Sequence, residues 1–127
     1  MLIKPYLHHI SLNVTDLERS KAFYGGVLGL EPLERPPFDF LGAWYSLGDN
    51  QQLHLILYDG ETLRSGEINS RDGHFAIRVE SFRQAVQWAE EAGIPYDARP
   101  NARAGFPQLY ILDPDRNIIE INAESLD

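Results

Sequence analysis

The sequence predicts an α+β fold: two tandem βαβββ modules whose sheets pair into an open barrel or trough. Three observations predict it. The chain repeats itself, because His9–Leu17 reads HISLNVTDL and His74–Phe82, 65 residues later, reads HFAIRVESF. Each copy passes from alternating apolar residues to helical spacing at a capping signal, and each ends in two apolar runs joined by a turn. Periods of two and then 3.6 in a fixed order define one strand–helix–strands unit, and its recurrence defines two.

In the first strand Ile10, Leu12 and Val14 share one face, and His9, Ser11 and Asn13 share the other. Thr15 followed by Glu18 is a capping box, and the helix it opens runs to about Leu28 before Gly29, with Leu17, Tyr24, Val27 and Leu28 inward. Glu34 to Gly42, with Pro36 and Pro37, is a loop. Trp44 to Ile56 is a hairpin around a Gly-Asp-Asn turn. Asp59 to Asp72 is polar, unpatterned and reads as a linker. The second copy follows suit. Phe75, Ile77 and Val79 oppose His74, Ala76 and Arg78, and Ser81 with Gln84 caps a helix that buries Phe82, Ala85, Val86 and Ala89 and stops at Gly93. Asp97 to Gln108 is the matching loop, and Tyr110 to Ile121 the matching hairpin. Module one thus covers about 5–58, the linker 59–72 and module two about 73–124 of a single domain, 1–127.

Composition narrows the partners. With 127 residues, 43% hydrophobic and 24% charged, the chain can bury one real core. A net charge of −8 argues against nucleic acid or an anionic membrane, which require basic patches. No run reaches membrane-spanning length and the first residues do not resemble a leader, so a cytoplasmic address is expected. There is no cysteine, so any metal must be held by nitrogen and oxygen.

The chemistry centres on Glu120, a carboxylate in the middle of the apolar run at the C-terminal end. Such a group is costly unless something positive meets it. In the repeat, His54 falls at the position of Glu120, just as His9 falls at that of His74. Sheets of two modules set edge to edge, within a chain or across a dimer, would bring these four residues to one floor. Imidazole and carboxylate suit one divalent metal per site, zinc, iron, manganese or nickel, with positions left for water and substrate. His8, on the packing face, is assigned no such role. Arg78, on the face of His74, is a candidate clamp for a substrate carboxylate, and Arg103 in the loop after the second helix is another. Tyr45 and Tyr110 read as core aromatics with wet hydroxyls; Trp44 and Phe40 would line a pocket or a dimer contact.

Three stretches carry a family resemblance: HISLNVTDLERSKAFYGGVLGL near the start, DGHFAIRV in the middle and YILDPDRNIIE near the end. Together they resemble the vicinal oxygen chelate superfamily of glyoxalases, bleomycin-resistance proteins and extradiol dioxygenases. The resemblance implies paired βαβββ modules, metal positions at His9, His74 and Glu120 with His54 at the fourth, and a homodimer. It implies a metal-dependent enzyme acting on a small oxygen-chelating molecule by lyase, isomerase, thiol-transferase or dioxygenase chemistry. Glu120 or a water on the ion would then move a proton. The alternative it leaves open is a bleomycin-resistance type protein that sequesters a drug or metabolite without turnover.

Overall fold

The computed structural model describes residues 1–62 and 64–127. The chain forms two compact units, Met1–Leu63 and Arg64–Asp127. In the first, β1 (His9–Val14) leads into helix α1 (Leu17–Lys21), which continues as a π-helical turn over Ala22–Val27. β2 (Pro32–Leu33), β3 (Gly42–Ser46) and β4 (Gln52–Leu57) follow, and the sheet order is β1-β4-β3-β2. In the second, β5 (Phe75–Arg78) and α2 (Phe82–Glu91) precede β6 (Tyr96–Arg99), β7 (Gln108–Leu112) and β8 (Ile118–Asn122), ordered β5-β8-β7-β6. Both are βαβββ units, as the repeat predicts. In each, the first strand lies parallel to the last, a connection that needs a crossover such as the helix.

The order explains which residues are enclosed. β4 and β8 are interior strands with neighbours along both edges, so their backbones are paired on both sides and their side chains are flanked by those of two strands. Leu53, His54 and Leu55 are buried on β4, and all five residues of β8 are buried. Val14, Tyr24, Leu53 and Leu55 form the first core, and Leu109, Ile111 and Ile119 the second. Truncating one of these to Ala would cost roughly 2–5 kcal/mol through lost transfer energy and the cavity left behind.

Four local expectations are corrected. The first helix is capped by Asp16, not Thr15: the Asp16 carboxylate accepts from the Arg19 backbone N–H at 3.0 Å. Its buried residues are Ser20, Phe23 and Tyr24, while Val27 is 38% exposed. The π turn explains the shift, since Leu28 N–H reaches back five residues to the Phe23 carbonyl at 2.8 Å and rotates the face that a 3.6-residue period would bury. The loop expected from Asp97 begins later, because β6 runs to Arg99. Finally, the hydroxyl of Tyr110 is not wet but donates to Glu120 Oε1. The second helix follows its expectation more closely: Ser81 Oγ accepts from Gln84 N–H at 3.1 Å, and Phe82, Ala85 and Ala89 are buried.

Candidate metal centre

The two units place their candidate ligands by the same register. Ser11 pairs with His54 and Ala76 with Glu120, so His9 and His74 stand two residues back along their chains. On the other side Trp44 lies directly opposite His54, and Tyr110 directly opposite Glu120. Directly opposite and diagonal neighbours are the side chains that touch across a sheet. Each unit therefore assembles a triplet: His9, His54 and Trp44 in the first, His74, Glu120 and Tyr110 in the second.

The second triplet is a hydrogen-bonded cluster. Glu120 is 5% exposed. Its Oε1 receives the Tyr110 hydroxyl at 3.1 Å and lies 3.1 Å from His74 Nε2, and its Oε2 accepts from the Asn122 amide at 2.6 Å. Burial alone would raise the carboxyl pKa, but bonds from Asn122, Tyr110, Gln108 and His74 outweigh it and hold the group below its ordinary value. Burial, followed by the Glu120 charge, raises the Tyr110 phenol, which stays protonated to donate.

His74 adds the decisive detail. Its Nδ1 lies 2.8 Å from the Asp72 carbonyl oxygen, which can only accept, so Nδ1 carries the hydrogen. In the neutral ring Nε2 is then a lone pair facing an ionised oxygen. A proton or a metal cation must lie between them. Two ligands on bonds of roughly 2.1 Å stand roughly 3.0 Å apart at octahedral angles and roughly 3.4 Å apart at tetrahedral ones, a range that includes the 3.1 Å spacing here. An imidazole whose other nitrogen donates to a backbone carbonyl is also the usual support of a metal-bound histidine. The residues fit a divalent ion.

The first triplet is a stack. His54 lies between His9, with ring centroids 4.2 Å apart and planes at 17°, and Trp44, at 4.0 Å and 5°. Its Nε2 bonds Gln52 Oε1 at 2.8 Å. Burial, and then the proximity of His9, His8 and Arg35, pushes its pKa down to about 4, so the ring is neutral at physiological pH. His9 Nδ1 meets His8 Nδ1 at 2.8 Å, leaving Nε2 as its other nitrogen. Within either unit, no three His, Asp or Glu side chains among the described residues gather closely enough to hold an ion. The units supply the candidates in pairs.

Residues 6–121 match the Glyoxalase/Bleomycin resistance protein/Dioxygenase superfamily. The chain belongs to that superfamily. It is similar to Glyoxylase I 4 of Arabidopsis thaliana, 35% identical over 94% of this chain and 72% of that protein. It is also similar to the lactoylglutathione lyase of Salmonella typhimurium, 28% identical over 91% and 90% of the two chains. Among solved structures, a glyoxalase/dioxygenase from Nostoc punctiforme superposes with a TM-score of 0.78, at 26% identity over 97% and 96% of the chains.

In this superfamily member the two candidate arginines differ. Arg78 Nε donates to Asn122 Oδ1 at 2.6 Å, and Asn122 in turn donates to Glu120, so Arg78 joins the carboxylate cluster through one amide. Its guanidinium also lies 5.0 Å from the Phe106 ring centre. Arg103 lines a cleft of about 500 Å³ whose walls include Arg99, Gln108 and Tyr110. No hydrogen bond or ion pair engages Arg103 among the described residues, whereas Arg99 is held by Asp97 and Ser70. The cleft and the carboxylate cluster thus share Tyr110 as a common wall. Sequence reasoning missed Tyr110, Asn122, Gln52 and the stacking part of Trp44. The available signal was register: the repeat aligns Trp44 with Tyr110, so the residue facing one candidate ligand predicts the residue facing the other.

Proposed function

We propose that the protein is a divalent-metal-dependent enzyme of the glyoxalase superfamily acting on a small molecule that offers neighbouring oxygens. The observation that carries this reading is the approach of His74 Nε2 to the Glu120 carboxylate at 3.1 Å, a contact that requires a shared proton or a shared cation, with His74 Nδ1 already committed to Asp72. His74 and Glu120 would hold the ion, and His9, which the repeat aligns with His74, is the further candidate ligand. When bound, such an ion supplies Lewis-acid stabilisation of an oxyanion or enolate.

The remaining work falls to the chain. Tyr110 and Asn122 fix both oxygens of Glu120, so the carboxylate is a firm ligand, and its lowered pKa makes it a weak base. Arg78 steadies Asn122, and Arg103 stands at the cleft to meet an anionic end of the substrate. Lyase or isomerase chemistry is the first class to assay, since lactoylglutathione is the compound named for the Salmonella relative; thiol transfer and dioxygenation follow.

A second reading, sequestration without turnover, draws on exposed aromatics in the first unit. Phe38 and Phe40 are 45% and 43% exposed, stack at 5.0 Å, and Phe38 approaches Trp44 at 6.1 Å. Calorimetric titration of dialysed protein with zinc, manganese, nickel and iron(II), followed by turnover assays on the loaded protein, separates the two. Saturable uptake of one equivalent with turnover supports the enzyme. Absence of uptake, with tight binding of aromatic ligands, supports sequestration.

A further inference from the structure

Equivalent backbone positions hold Glu120 in one unit and His54 in the other, yet their side chains meet their neighbours in opposite ways. His74 aims the edge of its ring, and so its Nε2, at Glu120. His54 presents its face to His9. We infer that His54 is a positioning residue, the middle ring of a stack that holds the His9 imidazole in place, and is not itself a ligand to the ion; the second half of this inference rests on the metal reading above.

An imidazole binds an ion through a lone pair lying in the ring plane, with the ion roughly 2.0–2.1 Å from nitrogen. The His9 and His54 planes are only 17° from parallel and their centres 4.2 Å apart. An ion on the in-plane lone pair of His9 would therefore lie well off the plane of His54 and away from that ring's lone pairs. Both rings cannot serve one ion while stacked.

His54 is also the ring least free to turn. Trp44 covers its other face at 4.0 Å and 5°, from the position directly across the β3–β4 ladder. Gln52 holds its Nε2 at 2.8 Å, and the residue is 8% exposed. His9 is exposed at the start of an edge strand, so it is the partner able to adjust, and His54 is the surface it adjusts against. A flat, neutral side chain of this size is what the position requires; a lone pair is not.

The test compares the unaltered full-length protein with His54→Phe, His54→Ala and His9→Ala, each titrated with zinc or manganese alone. Phe keeps a ring and has no lone pair. The expected result is one equivalent bound by His54→Phe with a dissociation constant within about threefold of the unaltered protein, and a loss of about tenfold or more for His54→Ala, in the range of supporting residues around a metal. His9→Ala should lose more than either. Equal losses in His54→Phe and His9→Ala would overturn the inference by making His54 a ligand; undiminished affinity in His54→Ala would overturn it by removing the positioning role. If the unaltered protein takes up no ion, the metal reading fails by itself. The stack is then decided by heat: His54→Phe should melt within about 2 °C of the unaltered protein and His54→Ala about 4 °C or more below it, whereas equal falls in both overturn the stacking role.

Discussion

The two units of this protein are one backbone plan carrying two kinds of chemistry. In both, an interior strand presents one side chain between a histidine two residues behind its parallel neighbour and an aromatic ring directly opposite. In the second unit that side chain is a carboxylate, and the cluster is polar, with bonds from His74, Tyr110 and Asn122. In the first it is an imidazole, and the cluster is three flat rings face to face. Register decides which residues meet. Whether they meet by edge or by face depends on what they are, and only an edge offers a lone pair.

The largest effect should come from removing the polar pair. Replacing Glu120 or His74 by Ala should lower metal affinity by more than about 100-fold, beyond what loss of a merely supporting residue produces, with turnover falling in step. Equilibrium dialysis with metal analysis reads the first and initial rates read the second. If both variants kept full affinity, the polar cluster would be a structural ion pair and nothing more.

Acid should distinguish the units next. The unfolded His54 ring takes its proton near pH 6.5 and the folded one only near pH 4, so protons favour the unfolded chain between these values. Stability is therefore complete above about pH 6.5 and falls as the pH drops towards 4, by about 3 kcal/mol at most for this residue. Glu120 adds a loss further down: its folded pKa lies below the ordinary 4.5, so its contribution is present above that value and disappears as the pH falls through the folded one. Urea unfolding of the metal-free protein across this range should show His54→Phe flattening the slope between pH 6.5 and 4 while the lower limb remains. An unchanged slope would mean that His54 titrates normally.

Tyr110→Phe tests the ring opposite the carboxylate. Loss of a hydrogen bond to a charged, buried group should cost about 1.5–3 kcal/mol of stability and raise the Glu120 pKa. The corresponding change in the stack, Trp44→Phe, keeps a flat ring and should cost less, under about 1.5 kcal/mol. Chemical denaturation of the two variants side by side would sharpen the contrast, and a reversed order would break it. Smallest is Arg103→Ala. With no partner among the described residues, it should leave stability unchanged within about 0.5 kcal/mol and raise KM for an anionic substrate with little change in kcat.

Most of this plan was legible in the chain. The 65-residue repeat aligned His9 with His74 and His54 with Glu120, and a period of two gave each residue its face; the parallel pairing of the first and last strands came only with the structure. Ser81 and Gly93 marked the second helix; Gly93 has φ +69°, the left-handed cap that glycine adopts without cost. The first helix was misread where its geometry departs from 3.6 residues per turn. Thr15 and Asp16 are both capping types in adjacent places, and the sequence pattern favoured the wrong one. The stack was not legible at all. Alternation assigns a face to His54 but no side-chain torsion, and edge-on and face-on histidines look identical in sequence.

The most direct measurement is a crystal soaked with manganese or zinc and measured at the metal absorption edge. An anomalous peak within about 2.0–2.3 Å of both His74 Nε2 and Glu120 Oε1 is the predicted result. A saturated crystal with no peak there, and with nitrogen and oxygen still in direct hydrogen-bonding contact, would contradict it.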